Sequence, residues 1–295
     1  MQPGDRVALM CYNTPGFVYA MLGAWRLGAS WSPINHKMQT PEVAYVLGHA
    51  KVSVCVFDGE LAPVVGRLET TAKLISTDSV ADGFDFFDDA ITRQDGVDGI
   101  DIDENDPAEI LYTSGTTGSP KGCVHSHRNV VGVAVTAALA VSTTRDERLL
   151  MAVPIWHASP PLNNWFMSTL YMGGTVVLLR EYHPVKFLET VQEQRITLCF
   201  GPPVIYTTAL NLVPNFADYN LGSVRAWLYG GGTDRRGCRS ATGGVVRHHR
   251  IPAGLRHDRD RASGHRAVPP RRAVEQGGLD RPRRAGRRRP APGCR

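Results

Sequence analysis

Aromatic residues stop at Tyr229, and that boundary limits what the chain can fold into. From Gly230 to Arg295 there is no Phe, Trp, Tyr, Met, Lys or Asn. Arg, Pro, Gly and Ala dominate there, with neither a helical nor a strand period. Such a segment cannot bury enough apolar surface to offset the entropy lost on ordering it. The charge divides at the same place. Residues 233–295 hold 18 Arg and 5 acidic residues, a charge of +13, while residues 1–232 hold 15 Lys plus Arg and 23 Asp plus Glu, a charge of −8, which together give the net +5. An acidic folded body over residues 1–231 and a disordered basic tail over 232–295 are expected.

Within the body, short apolar runs alternate with helical periodicity. Strands are expected at Val7–Cys11, Val52–Phe57, Leu149–Val153, Thr175–Leu179, Ile196–Phe200 and Arg225–Tyr229. Helices are expected at Pro15–Leu27, from Thr40 to about His49, and at His127–Leu139, Leu162–Met172, Val185–Gln194 and Pro203–Leu212. In the second of these, Thr40 supplies a capping hydroxyl and Pro41 takes the first helical position. Residues 76–109 are acidic with little periodicity and read as a surface connection with one short element. This alternation predicts an α/β fold with a mostly parallel sheet flanked by helices. No apolar run reaches the length of a membrane span and no signal peptide opens the chain. Six scattered cysteines without a CxxC pair fit a reducing compartment, so a cytoplasmic protein is expected.

The richest stretch chemically is Tyr112-Thr113-Ser114-Gly115-Thr116-Thr117-Gly118-Ser119-Pro120-Lys121-Gly122. It follows Ile110-Leu111 and reads as strand, loop, helix. Glycines let backbone N–H groups close on a polyanion, hydroxyls donate further bonds, and lysine adds a point charge. That chemistry suits phosphate. The spacing is not that of the common P-loop, which ends in Gly-Lys-Ser/Thr after four free positions.

The eleven-residue string resembles the phosphate-binding signature of the adenylate-forming (AMP-binding) superfamily. Its Thr116-Thr117 form, with Ile-Leu-Tyr before and Ser-His-Arg-Asn after, is more similar to fatty-acid and other acyl-CoA ligases than to peptide-synthetase domains. The segments Gly-Asp-Arg-Val-Ala-Leu and Leu-Gly-Ala-Trp-Arg-Leu-Gly-Ala resemble the same superfamily, in which several tens of residues usually come first, so a longer N-terminus is expected. The implied fold for 1–231 is a partial N-terminal adenylation domain. The implied reaction has two steps. A carboxylate attacks the α-phosphate of ATP to give an acyl-adenylate and pyrophosphate, and a thiol, usually that of coenzyme A, then displaces AMP.

The resemblance also implies roles. Thr113, Ser114, Gly115, Thr116, Thr117, Gly118 and Lys121 match the loop that holds the β- and γ-phosphates, with Lys121 stabilising the departing pyrophosphate. His157 falls where the family places a residue beside the acyl carboxylate and adenylate. Trp165 and Phe166 are candidates for the acyl pocket, and Trp156 reads as core. Gly201-Pro202-Pro203 resembles a turn near that pocket. Gly230 and Gly231 match the start of a turn that packs on adenine. His125 and His127 lack further ligands for a metal and match the helix start after the loop, so no metal site is expected from them. ATP, Mg²⁺ and coenzyme A are the implied cofactor and co-substrates, with a fatty or other carboxylic acid as partner.

The chain has no Tyr-Gly-x-Thr-Glu, the family's adenine motif, whose Glu holds Mg²⁺. Back-translation accounts for this. Gly254–Ala262 written as GGC CTA CGG CAT GAC CGA GAC CGG GCC and shifted by one nucleotide reads Ala-Tyr-Gly-Met-Thr-Glu-Thr-Gly. The same shift from Gly232 allows Ala-Pro-Thr-Ala-Ala, and from Gln276 it allows Lys-Ala-Gly-Ser-Ile-Gly-Arg-Ala-Val-Pro-Gly. Both continue the family pattern in order. A change of reading frame near Gly231–Gly232 is therefore expected. The ribose-binding Asp, the hinge and the catalytic lysine of the small C-terminal domain that the resemblance implies are not matched either, so the chain as written is expected not to complete adenylation. Two other classes stand beside this one: an aryl- or amino-acid adenylation domain, and a non-enzymatic remnant whose arginine-rich arm binds nucleic acid. The arm lacks the aromatic interleaving and lysine of a dedicated nucleic-acid binder, so no specific nucleic acid is expected. The residues set neither the acyl group nor the oligomeric state.

Overall fold

A computed structural model describes residues 1–78, 84–86, 100–113, 119–230 and 244–246, with backbone only at 86, 158–160 and 244–246. The strands form two sheets rather than one. The first has the order β5-β4-β3-β1-β2-β6-β7: β1 is Arg6–Met10, β2 Ser30–Pro33, β3 Val54–Phe57, β4 Lys73–Ser76, β5 Asp85–Phe86, β6 Pro107–Thr113 and β7 Lys121–Ser126. The second has the order β12-β11-β10-β8-β9: β8 is Arg148–Met151, β9 Thr175–Leu178, β10 Leu198–Gly201, β11 Ala226–Tyr229 and β12 Gly244–Val246. All pairs are parallel except β6–β7 and β11–β12.

The same four-strand order occurs twice. β4-β3-β1-β2 in the first sheet corresponds to β11-β10-β8-β9 in the second. In each, the first strand is central and its successors lie on opposite sides. α1 (Pro15–Arg26) connects β1 to β2, and α2 (Thr40–Ala50) lies between β2 and β3. The short α3 (Ala62–Val65) precedes β4, and α4 (His127–Val141) leads from β7 to β8. Wide π-helical turns over Ala158–Phe166 and α5 (Met167–Tyr171) lead to β9, α6 (Pro184–Glu193) leads to β10, and α7 (Pro203–Leu212) leads to β11. Reversal of strand order opens a crevice at the carboxyl ends of the central strands, where open α/β sheets bind ligands. Here those crevices lie after β1 and β3 and after β8 and β10.

β1 is buried on both faces, which explains its unbroken apolar run. Val7 and Leu9 join a core with Phe17, Met21 and Trp31 and with Leu149, Phe166 and Phe200 of the second-sheet half. Ala8 and Met10 point the other way, to Val43, Val46, Leu47 and Phe57. Fully burying side chains such as Trp31, Phe17 or Phe57 stabilises by about 1.5–3 kcal/mol each. α1 ends at Arg26, and Gly28 turns the chain with φ +67°, a conformation that suits a residue without Cβ.

Four local expectations change. The cap of α2 is Gln39, which exchanges bonds with Glu42 in a capping box, while the Thr40 hydroxyl donates to Val64 O at 3.2 Å. β2 and β4 fall where no strand was expected, while β5 is a short element within the acidic connection. Gly244–Val246 lies within the expected tail yet pairs antiparallel with β11. β7 replaces the expected loop-to-helix junction, since so short a connection joins only antiparallel neighbours. The remainder of 232–295, including the shifted-frame matches, lies outside the described residues. All described elements fall within the compact unit Met1–Arg256.

One buried side chain joins the two sheets. Asn13, 4% exposed in the loop after β1, donates through Nδ2 to Met151 O (3.2 Å), Val153 O (2.9 Å) and Leu179 O (2.9 Å). Its Oδ1 accepts from Ile155 N at 2.7 Å. In Asn13→Ala the Val153 and Leu179 carbonyls and the Ile155 N–H lose this partner, while Met151 O keeps its bond from Leu179 N at 3.1 Å; unfolding stability is expected to fall by more than about 3 kcal/mol, read as a fall in the urea midpoint.

Candidate functional site

β6 and β7, which flank the segment after Thr113, pair antiparallel. Thr113 at the end of β6 is the register partner of Lys121 at the start of β7, and Tyr112 is that of Gly122. The sequence-predicted loop ends, Thr113 and Lys121, are thus brought face to face. Ser114, Gly115, Thr116, Thr117 and Gly118 lie outside the described residues, as does Gly231. Lys121 is exposed and forms no ion pair with another described residue.

α2 holds both ends of this loop. The Tyr45 hydroxyl donates to Pro120 O at 3.0 Å, and His49 Nδ1 lies 2.8 Å from the Tyr112 hydroxyl. Tyr45 and His49 are four residues apart on one helical face, with ring centroids at 5.5 Å. Gly122 lets the hairpin strands close: an added Cβ would lie 2.9 Å from Ile110 Cγ2 and 3.3 Å from the Tyr112 ring. At the far end of β7 the Ser126 hydroxyl caps α4 by accepting from Asn129 N at 3.3 Å.

The two histidines beside the loop diverge. His125 Nδ1 pairs with Glu109 Oε1 at 2.7 Å. The His127 ring packs 5.9 Å from that of Trp25, and burial lowers its pKa. Among the described residues no group of three or more His, Cys, Asp or Glu is placed to hold a metal.

The second half of the site lies at the carboxyl edge of the second sheet. His157 follows β8, Gly201 ends β10 and Gly230 follows β11. His157 is exposed, but the Trp156 ring lies at 3.8 Å, and this partial burial lowers its pKa. Trp156 is only half-buried and leads to further rings: His36 at 6.2 Å, then Tyr12 stacked on His36 at 4.3 Å. The Arg180 guanidinium sits 4.3 Å from the Tyr12 centroid and pairs with Glu60 at 2.9 Å. Loops after β1, β2, β8 and β9 are joined through this row. Trp165 is half-buried with its ring 5.9 Å from Phe200, whereas Phe166 is a core residue at 1% exposure. Gly201 opens the turn into α7, where a Cβ would lie 2.8 Å from Ile205 Cδ1.

A glycine- and hydroxyl-rich turn on a hairpin, beside carboxyl-edge crevices of two like sheets, matches a known pattern. Residues 1–236 match the sequence profile of the family described as AMP-binding enzyme. The chain belongs to this family. A feruloyl-CoA synthase of an Amycolatopsis species is 31% identical over 231 residues, covering 78% of this chain and 45% of that protein. The long-chain-fatty-acid–CoA ligase FadD13 of Mycobacterium tuberculosis is 30% identical over 237 residues, covering 77% and 45%. The chain therefore spans just under half the length of these AMP-binding relatives. Among solved structures, the inhibitor-bound N-terminal domain of FACL13 from Mycobacterium tuberculosis superposes with a TM-score of 0.69 at 27% identity, covering 79% of this chain and 58% of that one. Among the described residues no helix is long and apolar enough to cross a membrane.

Reading residues singly missed Asn13, Tyr45, His49, Glu109 and Asn163. Only the Tyr45/His49 spacing was visible beforehand, as a shared helix face. Two glycines test the hairpin. Gly122→Ala is expected to destabilise by about 1–3 kcal/mol through overpacking. Gly132→Ala, mid-α4 with nothing within 4 Å of the added Cβ, is expected to stabilise by about 0.4–1 kcal/mol. Denaturant midpoints of the two variants should move in opposite directions.

Proposed function

We propose that the chain carries the phosphate-gripping half of an ATP-dependent acid–thiol ligase. The observation that carries this reading is the register pairing of Thr113 with Lys121 at the mouth of the family's signature loop. In the first step a carboxylate oxygen bonds to the α-phosphorus of ATP, and pyrophosphate leaves with the electrons of the broken P–O bond. Lys121 and the loop donors hold the β- and γ-phosphates and meet the charge that grows on the leaving group. His157, neutral at neutral pH because burial lowers its pKa, positions the acyl carboxylate. In the second step the sulfur of coenzyme A bonds to the acyl carbon and AMP leaves. Mg²⁺ is the metal implied for such chemistry, but the described residues hold no cluster fitted to it, and no step is assigned to it.

Fatty acids are the first substrate class, supported by the FadD13 relative. The feruloyl-CoA synthase relative, at similar identity, supports aryl acids as the second reading. Four described free cysteines, three of them buried, are consistent with cytoplasmic action. The three in-order shifted-frame matches support a frame change near Gly231–Gly232, so that the adenine-binding segment is not supplied by 232–295 as written.

ATP–pyrophosphate exchange with a panel of long-chain fatty and hydroxycinnamic acids tests both parts. The chain as written should give no carboxylate-dependent exchange, whereas a gene shifted by one nucleotide after codon 231 and read on in that frame to its next stop codon should. In the shifted protein Lys121→Ala should lower the exchange rate by about 10²–10³-fold. Exchange by the chain as written overturns the frame reading. Silence of a folded shifted protein with every acid overturns the ligase reading.

A further inference from the structure

Glu109 is fully buried in β6, four residues before Thr113. Its Oε1 accepts from Asn163 Nδ2 at 2.6 Å and lies 2.7 Å from His125 Nδ1. His125 lies opposite it on β7, and Asn163 lies in the π-helical turns six residues after His157. One carboxyl group therefore touches the stem of the phosphate-loop hairpin and the segment that begins at His157.

Two atoms in this cluster are left over. Glu109 Oε2 and Asn163 Oδ1 are both buried without a hydrogen-bond partner. Each is the second polar atom of a planar group whose first atom already bonds across the pair. An ionised carboxylate and an amide oxygen are both acceptors, so neither satisfies the other, and dry unpaired acceptors are costly. A single proton on Oε2 removes both orphans. The hydroxyl then donates to Asn163 Oδ1 while Asn163 Nδ2 donates to Oε1, giving a two-bond acid–amide pair.

We infer that Glu109 is a positioning residue, held as a neutral acid paired with Asn163, that fixes the hairpin stem against the π-helical turns behind His157. Burial raises the carboxyl pKa as the largest influence, against smaller lowering by His125 and Asn163. Its neighbours are Trp31 across β2, His125 across β7 and Asn163 from the π-helical turns. The bearing on nucleotide and carboxylate rests on the function proposed above. The pairing does not.

The test uses the full chain and needs no catalysis, so it stands apart from the exchange assay. Glu109→Gln reproduces the shape and donor of the neutral acid, Glu109→Ala removes the pair, and Asn163→Leu strands the carboxyl. Amide hydrogen exchange in Lys121–Ser126 and in Ala158–Phe166 should accelerate together by about tenfold or more in Glu109→Ala and Asn163→Leu. It should stay at the wild-type rate in Glu109→Gln. A protonated-carboxyl C=O band should disappear from the infrared spectrum of Glu109→Gln. Because the folded pKa is raised, wild-type stability should fall as pH climbs through that value, and Glu109→Gln should lose this part of the slope. Acceleration in Glu109→Gln equal to that in Glu109→Ala overturns the proposal, as does a spectrum in which no protonated carboxyl is lost. Acceleration confined to one of the two segments overturns the positioning role.

Discussion

The two sheets meet through Asn13. A parallel strand ends with carbonyl groups that its neighbours no longer satisfy, and burying them unpaired is costly. Asn13 answers two such carbonyls, Val153 O and Leu179 O, and the Ile155 N–H with a single planar amide, and adds a bond to Met151 O, which also accepts from Leu179 N. Asp lacks the donors for this, and an apolar residue lacks both kinds of atom. The loop after β8 is therefore held to the loop after β1, and Trp156 and His157 emerge from it in one arrangement. The row of rings from His157 to Tyr12 depends on that join, because its members come from loops of both sheets.

The phosphate-loop hairpin is fastened in three places. α2 bonds Tyr112 and Pro120 on either side of the turn, Gly122 lets the two strands close, and Glu109 and His125 pair across the stem. A group carried on a loop is positioned only as well as the frame that holds it, and this stem has contacts on both of its strands. Glu109 adds a link to the other half of the site through Asn163.

Elements with a strong local period were legible before any coordinates. Pro15–Arg26 and Pro203–Leu212 fall where the apolar spacing and an N-terminal proline put them. Strands β8 to β11 of the second sheet came within a few residues because each holds a short apolar run. β7 was invisible. Lys-Gly-Cys-Val-His-Ser has no clear alternation, and its strand character comes from pairing with β6. Glu109 sits inside an apolar run, where a lone acid carries no period. Asn13 lies in a polar turn that reads as solvated. Its partners are 138 to 166 residues away, and no window along the chain contains both ends of such a bond.

Local sequence by itself determined the α/β class and the family to which the chain belongs. These rest on spacing and on a contiguous string, both of which survive when the chain is read as a line. The tertiary structure decided that there are two sheets with one repeated strand order and that the loop rides on a hairpin rather than on a helix. It also decided which polar groups are buried together. Those features depend on pairings between distant segments, where the free energy comes from removing both partners from water at once, and that cost is set by the folded neighbourhood rather than by the identity of either residue.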